Sequence, residues 1–172
     1  MRVGLVSDTH GLADPRLAEI LAGCALILHA GDVVGEAVLD ALRAIAPVTA
    51  VRGNCDEGTS LGRLATSAVI PLGPLTALVL HDLGPRDRPL SAARALLHRL
   101  RPQIVVHGHS HRPGGAVVDG TLFVNPGSAG PRRFSLPRAA AILELRGRRV
   151  RVEWIPLPGS PSPVPQALEV RL

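Results

Sequence analysis

The 172-residue chain has no lysine and no tyrosine, and its aromatic residues are three: Phe123, Phe134 and Trp154. Platforms that stack single-stranded bases are built from aromatic side chains, so nucleic acid is a poor candidate for the main partner. All 19 basic residues are arginine, against 14 acidic ones, for a formal net charge of +5. Beside 18 glycines and 16 prolines, this reads as compositional bias rather than a basic binding face. Only two cysteines occur, Cys24 and Cys55, too few for a disulfide framework. No apolar run approaches the ~18–20 residues of a membrane span. The opening residues reach Asp8 too soon for a secretory leader; a cytoplasmic location with no membrane partner is expected. Disorder is excluded by 46% hydrophobic against 19% charged residues.

What remains is a chain of one-domain length, expected as a single unit over 1–172 with a Pro-rich tail at about 156–172. Apolar runs at 2–7, 25–29 and 47–52 read as strands. Between them, 14–23 and 36–45 carry helical spacing, the first announced by Asp14-Pro15 and the second by Val38, Leu39, Leu42 and Ile45. Alternation of this kind implies parallel pairing. Farther on, 66–70 and 75–80 predict a hairpin around Pro71-Leu72-Gly73-Pro74, and Ser91 is placed to cap a helix to about Leu100. Strands follow at 103–107, 116–118 and 121–124, the last two flanking an Asp119-Gly120 turn. Another pair, 139–145 and 150–155, surrounds Gly147. The stretch 156–165 reads as irregular, and 166–172 as an edge strand or a frayed end. The second half leans antiparallel, so two packed sheets in an α/β layered fold fit better than one doubly wound sheet.

Six of the seven histidines (10, 29, 81, 107, 109 and 111) fall at or just past predicted strand ends; His98 lies in a helix. Parallel strands deliver their C-terminal ends to one rim, where ligands gather. Read in order, the rim segments are Asp8-Thr9-His10, His29-Ala30-Gly31-Asp32, Gly53-Asn54-Cys55-Asp56, His81-Asp82 and His107-Gly108-His109-Ser110-His111. In extended backbone, residues two apart face the same side, which aims Asp8 with His10 and His109 with His111. Carboxylate, imidazole and amide donors together suit borderline divalent metals. Seven candidates exceed the four that a structural zinc takes but suffice for two ions, with Asp32 as the natural bridge through its two oxygens.

These segments resemble the calcineurin-like metallophosphoesterases, closest to their small bacterial and archaeal phosphodiesterase branch. Ser7-Asp8-Thr9-His10, Gly31-Asp32, Arg52-Gly53-Asn54-Cys55-Asp56, His81, Gly108-His109-Ser110-His111 and Asn125-Pro126-Gly127-Ser128 follow in family order over roughly 1–155. The resemblance implies a four-layer α/β/β/α sandwich of two mixed sheets. It also implies a metal set: Asp8, His10 and His111 on one ion, Asn54, His81 and His109 on the other, Asp32 between them. Two positions depart from the pattern. Cys55 stands where many members carry a proton-donating His, and Asp82 replaces the Gly after the ligand His.

The expected function is a dinuclear phosphodiesterase that hydrolyses small phosphate diesters by attack of a metal-bridging hydroxide. Two divalent ions, Mn²⁺ first and Ni²⁺, Fe²⁺, Co²⁺ or Zn²⁺ as alternatives, would serve as cofactors. Asp32, Asn54 and His109 are the expected catalytic residues. Cys55 and Asp56 would line or support the site, and Arg132, with Arg133, would meet the substrate phosphate. A thiol with a reference pKa of ~8.5 is a weak proton donor at neutral pH, which points to acidic leaving groups such as aryl esters. Alternatives are a phosphomonoesterase, a nuclease, or a protein-binding scaffold of the same fold. Strand edges in the second half make a homo-oligomer an expected assembly.

Overall fold

A computed structural model describes residues 1–160 and 163–172. Two sheets face each other. The first runs through β1 (Arg2–Val6), β2 (Leu26–His29) and β3 (Val48–Ala50), all parallel. Three later strands extend it beyond β1. The second sheet contains β4 (Ser67–Leu72), β5 (Leu75–Leu80), β6 (Ile104–Val106), β7 (Gly114–Val118) and β8 (Thr121–Asn125). The additions to the first sheet are β9 (Ala139–Arg146), β10 (Arg149–Pro156) and β11 (Leu168–Arg171). Strand order is β11-β10-β9-β1-β2-β3 in one sheet and β4-β5-β6-β8-β7 in the other. Helices α1 (Arg16–Ile20), α2 (Glu36–Arg43) and α3 (Ser91–Leu100) lie outside them.

Three apolar layers show why four structural layers form. Between the sheets, Val3, Leu5 and Leu28 meet Val79, Val106 and Val124. Outside the first sheet, Leu17, Ile20, Val38, Leu39 and Leu42 of α1 and α2 cover Val6, Ile27 and Ile142. Outside the second, Ala93, Leu96, Leu97 and Leu100 of α3 cover Leu78, Val105 and Phe123. The result is an α/β/β/α sandwich. Strand β10 displays the expected period of two: Val150, Val152 and Trp154 are buried while Arg149, Arg151 and Glu153 face water.

Several local expectations change. The second half is less antiparallel than its hairpins suggest, because β5–β6 and β6–β8 pair in parallel. That correction matters: it sends β5, β6 and β8 to the same rim as β1, β2 and β3. Helix α1 is shorter than its pattern, and Ser91 does not cap α3; Leu90 holds the N-cap position without a side-chain hydrogen bond. Pro71 and Leu72 belong to β4, not the turn. As an edge strand, β4 tolerates a residue without an N–H. Of the predicted irregular stretch 156–165, residues 161 and 162 lie outside the described residues, and 168–171 pairs with β10 as the edge strand β11.

Candidate metal centre

The rim segments leave strands and enter loops bonded to their neighbours, within a sheet and, at Ala129–Ser7, between the two. Gly108 N–H donates to His81 O, Ala129 N–H to Ser7 O, and Asp8 N–H to Gly31 O. The His109 N–H donates to both carboxylate oxygens of Asp8, at 3.3 and 3.1 Å. All seven residues expected as ligands meet here.

They form two groups joined by one carboxylate. In the first, His111 Nε2 lies 3.3 Å from Asp8 Oδ1 and 3.3 Å from His10 Nε2. In the second, Asn54 Oδ1 lies 3.1 Å from both His81 Nε2 and His109 Nδ1. Asp32 Oδ2 spans them, 3.8 Å from His10 Nε2 and 3.4 Å from His81 Nε2. Its Oδ1 accepts the Cys55 N–H at 2.8 Å, so a single oxygen, not the two expected, reaches both groups. Asp8, Asp32, His81 and His111 are buried, His10 half-buried, and Asn54 and His109 stand at the exposed mouth.

The hydrogen bonds test whether cations fit. His81 Nδ1 lies 2.7 Å from Ala30 O; a carbonyl only accepts, so Nδ1 carries the hydrogen. In a neutral ring Nε2 is then a lone pair facing the lone pairs of Asn54 Oδ1 and Asp32 Oδ2. Acceptor against acceptor is repulsive unless a proton or a cation sits among them. Anchoring the far ring nitrogen on a carbonyl is how metal-binding imidazoles are held. Asp8, His10 and His111 likewise bring donor atoms within 4.8 Å of one another, as do Asp8, Asp32 and His81. Only the Nε2 edge of His111 has polar company; its Nδ1 is buried without a partner among the described residues. The donor set fits divalent cations.

Electrostatics follow from this crowding. Burial pushes the Asp8 carboxyl up to about 7. Burial acts the same way on Asp32, but His81 and the Cys55 N–H outweigh it and hold that carboxyl below its ordinary value. Burial lowers His81, yet Asp32 and Asp8 overcome it and raise the imidazole. Burial, aided by His10 and Arg133, lowers His111 to about 4.

The backbone is bent where it matters. Asp8, His10, Asp32, His109 and His111 all have φ between +47° and +66°, so they converge through left-handed turns and not through the extended spacing read from sequence. Strain of this kind is tolerated where surrounding contacts over-determine it. Those contacts come from residues outside the seven-residue donor set. Asp56, fully buried, accepts from Val34 N–H and Gly53 N–H, tying the loops of Asp32 and Asn54 together. Asn125 Nδ2 donates to Gly108 O and Ser110 Oγ, while Ser128 Oγ donates to Asp8 O.

Other expected residues divide. Cys55 Sγ lies within 4.8 Å of His10 and Asp32 donor atoms, and burial, then Asp32, pushes its thiol up. Asp82 anchors Oδ1 on Gly84 N–H and leaves Oδ2 3.7 Å from His109 Nε2. Arg132 directs Nε at Phe134 O; Arg133 is the arginine whose charge reaches His10, His111 and Cys55. His107 lines a cleft beside Arg112 and Pro113 and a second one that it shares with Asp82 and His109, and His98 is exposed on α3.

Two further supports lie outside the donor set, and the first of them was not legible in the sequence. Arg138 Nη2 pairs with Asp14 Oδ2 at 2.6 Å, and its Nε donates to Gly130 O; a lone Arg before an Ala-rich strand carries no such signal. His29, fully buried, accepts Gly31 N–H at Nδ1 and so presents Nε2–H to Thr9 Oγ1 at 3.0 Å. Burial, with His81 and His10 opposing a further positive charge and Asp32 partly offsetting them, lowers His29 to about 3. The unfolded chain takes this proton near ~6.5, so between those values it binds more protons than the fold does. The stability this neutral imidazole confers is complete above pH 6.5 and drains as pH falls toward 3. In chelator-treated protein, His29→Gln is therefore expected to flatten the fall of Tm between pH 6.5 and 4; an unchanged slope refutes the assignment.

A family profile described as the calcineurin-like phosphoesterase superfamily domain matches residues 1–148. A "probable metallophosphoesterase" of Methanothermobacter thermautotrophicus is 28% identical over 163 residues, covering 90% of this chain and 92% of its own. The "probable metallophosphoesterase YsnB" of Bacillus subtilis is 31% identical over 159 residues, covering 90% of each. Among solved structures, wild-type Vps29 of Entamoeba histolytica, complexed with Zn²⁺, has a TM-score of 0.75 at 24% identity, covering 100% of this chain and 98% of that one. That likeness is one of fold.

Proposed function

Because the chain belongs to the calcineurin-like phosphoesterase superfamily, we propose that it is a dinuclear metal-dependent phosphodiesterase acting on small phosphate diesters. The observation that carries this reading is the position of Asp32 Oδ2 between two separate groups of donors, Asp8–His10–His111 and Asn54–His81–His109. One group would hold each cation, with Asp32 shared; Mn²⁺ is the first choice. Two divalent ions so held supply Lewis-acid charge to a phosphate and lower the pKa of bound water.

The protein's own groups then have defined tasks. Ala30 O locks the His81 ring so that Nε2 points inward. Asn54 and His109, the exposed members, stand where a phosphate would arrive. Arg133, whose guanidinium makes no hydrogen bond or ion pair among the described residues, adds positive charge beside His10 and His111 that favours an anion. In the net reaction, water adds to phosphorus, one ester P–O bond breaks and the departing oxygen takes a proton. Cys55, a thiol raised by burial and by Asp32, is a weak donor for that proton, so acidic leaving groups are favoured.

The test strips the protein with a chelator and restores Mn²⁺, Ni²⁺, Co²⁺, Zn²⁺ or Mg²⁺ in turn. Hydrolysis of bis(4-nitrophenyl) phosphate is expected to return with metal, to exceed that of 4-nitrophenyl phosphate, and to exceed that of dialkyl esters. A higher monoester rate would reassign it as a phosphomonoesterase. No hydrolysis with any metal, together with no bound metal on elemental analysis, would leave the scaffold alternative.

A further inference from the structure

The site opens on its α3 side into a cavity of about 300 Å³. One wall is formed by Asn54, His81 and His109, whose polar atoms converge as described. The facing wall is apolar: Leu80 at the end of β5, then Ala92, Ala93 and Leu96 of α3. Charges sit at the rim. The Arg52 guanidinium lies 3.6 Å from Glu57 and also donates to Gly62 O, so it is already engaged. Asp82 also borders the cavity, and no arginine pairs with it among the described residues. Two carboxylates against one guanidinium leave the cavity formally negative when its imidazoles are neutral.

Building on the phosphodiesterase reading, we infer that this cavity is the subsite for one organic ester arm of the substrate, and that the arm is uncharged and apolar, an aryl or branched aliphatic group. A phosphate seated at Asn54 and His109 projects its ester groups away from the cations, and here an apolar floor lies directly beyond those two residues. Apolar atoms laid on Leu80, Ala93 and Leu96 leave water, which favours binding in proportion to the area covered. Ala92 and Ala93 leave room that longer helix residues would fill. The volume is at the lower end of small-molecule pockets, enough for one ring system and not for a polymer. A second anionic group would meet Glu57 and Asp82 while Arg52 is occupied, so esters bearing further phosphates or carboxylates are disfavoured.

Calorimetric titration of the Mn²⁺-loaded protein with methylphosphonate, phenylphosphonate and 4-carboxyphenylphosphonate tests this. Phenylphosphonate is expected to bind at least ~10-fold more tightly than methylphosphonate, and the added carboxylate to remove that gain. Ala92→Trp, at an exposed position of α3, is expected to abolish the phenyl advantage while leaving methylphosphonate affinity unchanged. Equal affinities in the wild type, tighter binding of the carboxyphenyl ligand, or uniform weakening by Ala92→Trp would overturn the inference. The wild-type ligand series decides the matter even if the variant fails to fold. Failure of the phosphodiesterase reading shows separately, as absent metal-dependent hydrolysis of bis(4-nitrophenyl) phosphate. A wild type that hydrolyses the diester without preferring an apolar arm sinks only the subsite.

Discussion

Asp32→Asn is expected to leave the protein folded and to lower metal-dependent diester hydrolysis by ~1000-fold, the scale of losing a principal electrostatic contact in a catalytic site. The amide keeps an oxygen for the Cys55 N–H that Asp32 Oδ1 now accepts at 2.8 Å. It replaces Oδ2, however, with an NH₂ group and removes the negative charge from the one atom that reaches both His10 and His81. A donor pointed at a cation position repels where the carboxylate attracted. Bound metal is therefore expected to fall below two per chain in the same variant. Rates on bis(4-nitrophenyl) phosphate and elemental analysis read the two effects independently. A variant that keeps both its metals and its rate would remove Asp32 from the centre of the account.

Gly108→Val is expected to destabilise the fold by about 3 kcal/mol or more, as an overpacked core position does, and to abolish metal binding. A Cβ at position 108 would lie 1.9 Å from Ser7 Oγ and 2.7 Å from Asp8 Oδ2. Neither neighbour can retreat, because Ser7 and Asp8 are fully buried. The peptide at 108 cannot swing away either, since its N–H is bound to His81 O and its carbonyl accepts from Asn125 Nδ2. Gly114→Ala is the control: nothing lies within 4 Å of its added Cβ, and a change within about 0.5 kcal/mol is expected. Urea unfolding of the metal-free proteins measures both. Equal midpoints for the two variants would show that close approach at Gly108 is not what brings the sheets together. Gly53 tells the same story from the other loop, where a Cβ would fall 2.1 Å from Asp32 Oδ1.

Much of this site was legible because its chemistry is local. Asp8, His10, Asp32, Asn54, His81, His109 and His111 each follow an apolar run that can only be a buried strand, and parallel strands share a rim. Their convergence was predicted for a partly mistaken reason. The residues two apart do share a site, but through positive φ at five positions; Asp and His are enriched in left-handed turns, yet both occur far more often outside them, so residue type alone does not announce the bend. Arg132 and Arg133 are adjacent in sequence, yet Arg132 Nε donates to Phe134 O while the charge of Arg133 reaches His10 and His111, a divergence that composition does not encode.

The amino-acid sequence by itself determined the order of strands and helices, the identity of the donor side chains and the family to which they belong. Those properties rest on hydrophobic period and donor chemistry, which are carried residue by residue. Only the tertiary structure decided that β5, β6 and β8 run parallel, that Asp32 offers one oxygen to both donor groups, that Ala30 O orients His81, that Arg138 and Asp56 brace the loops, and that α3 walls a cavity beside Asn54. Each of these depends on which backbone group meets which partner across tens of residues, and such meetings are set by packing of the whole chain, not by any segment of it.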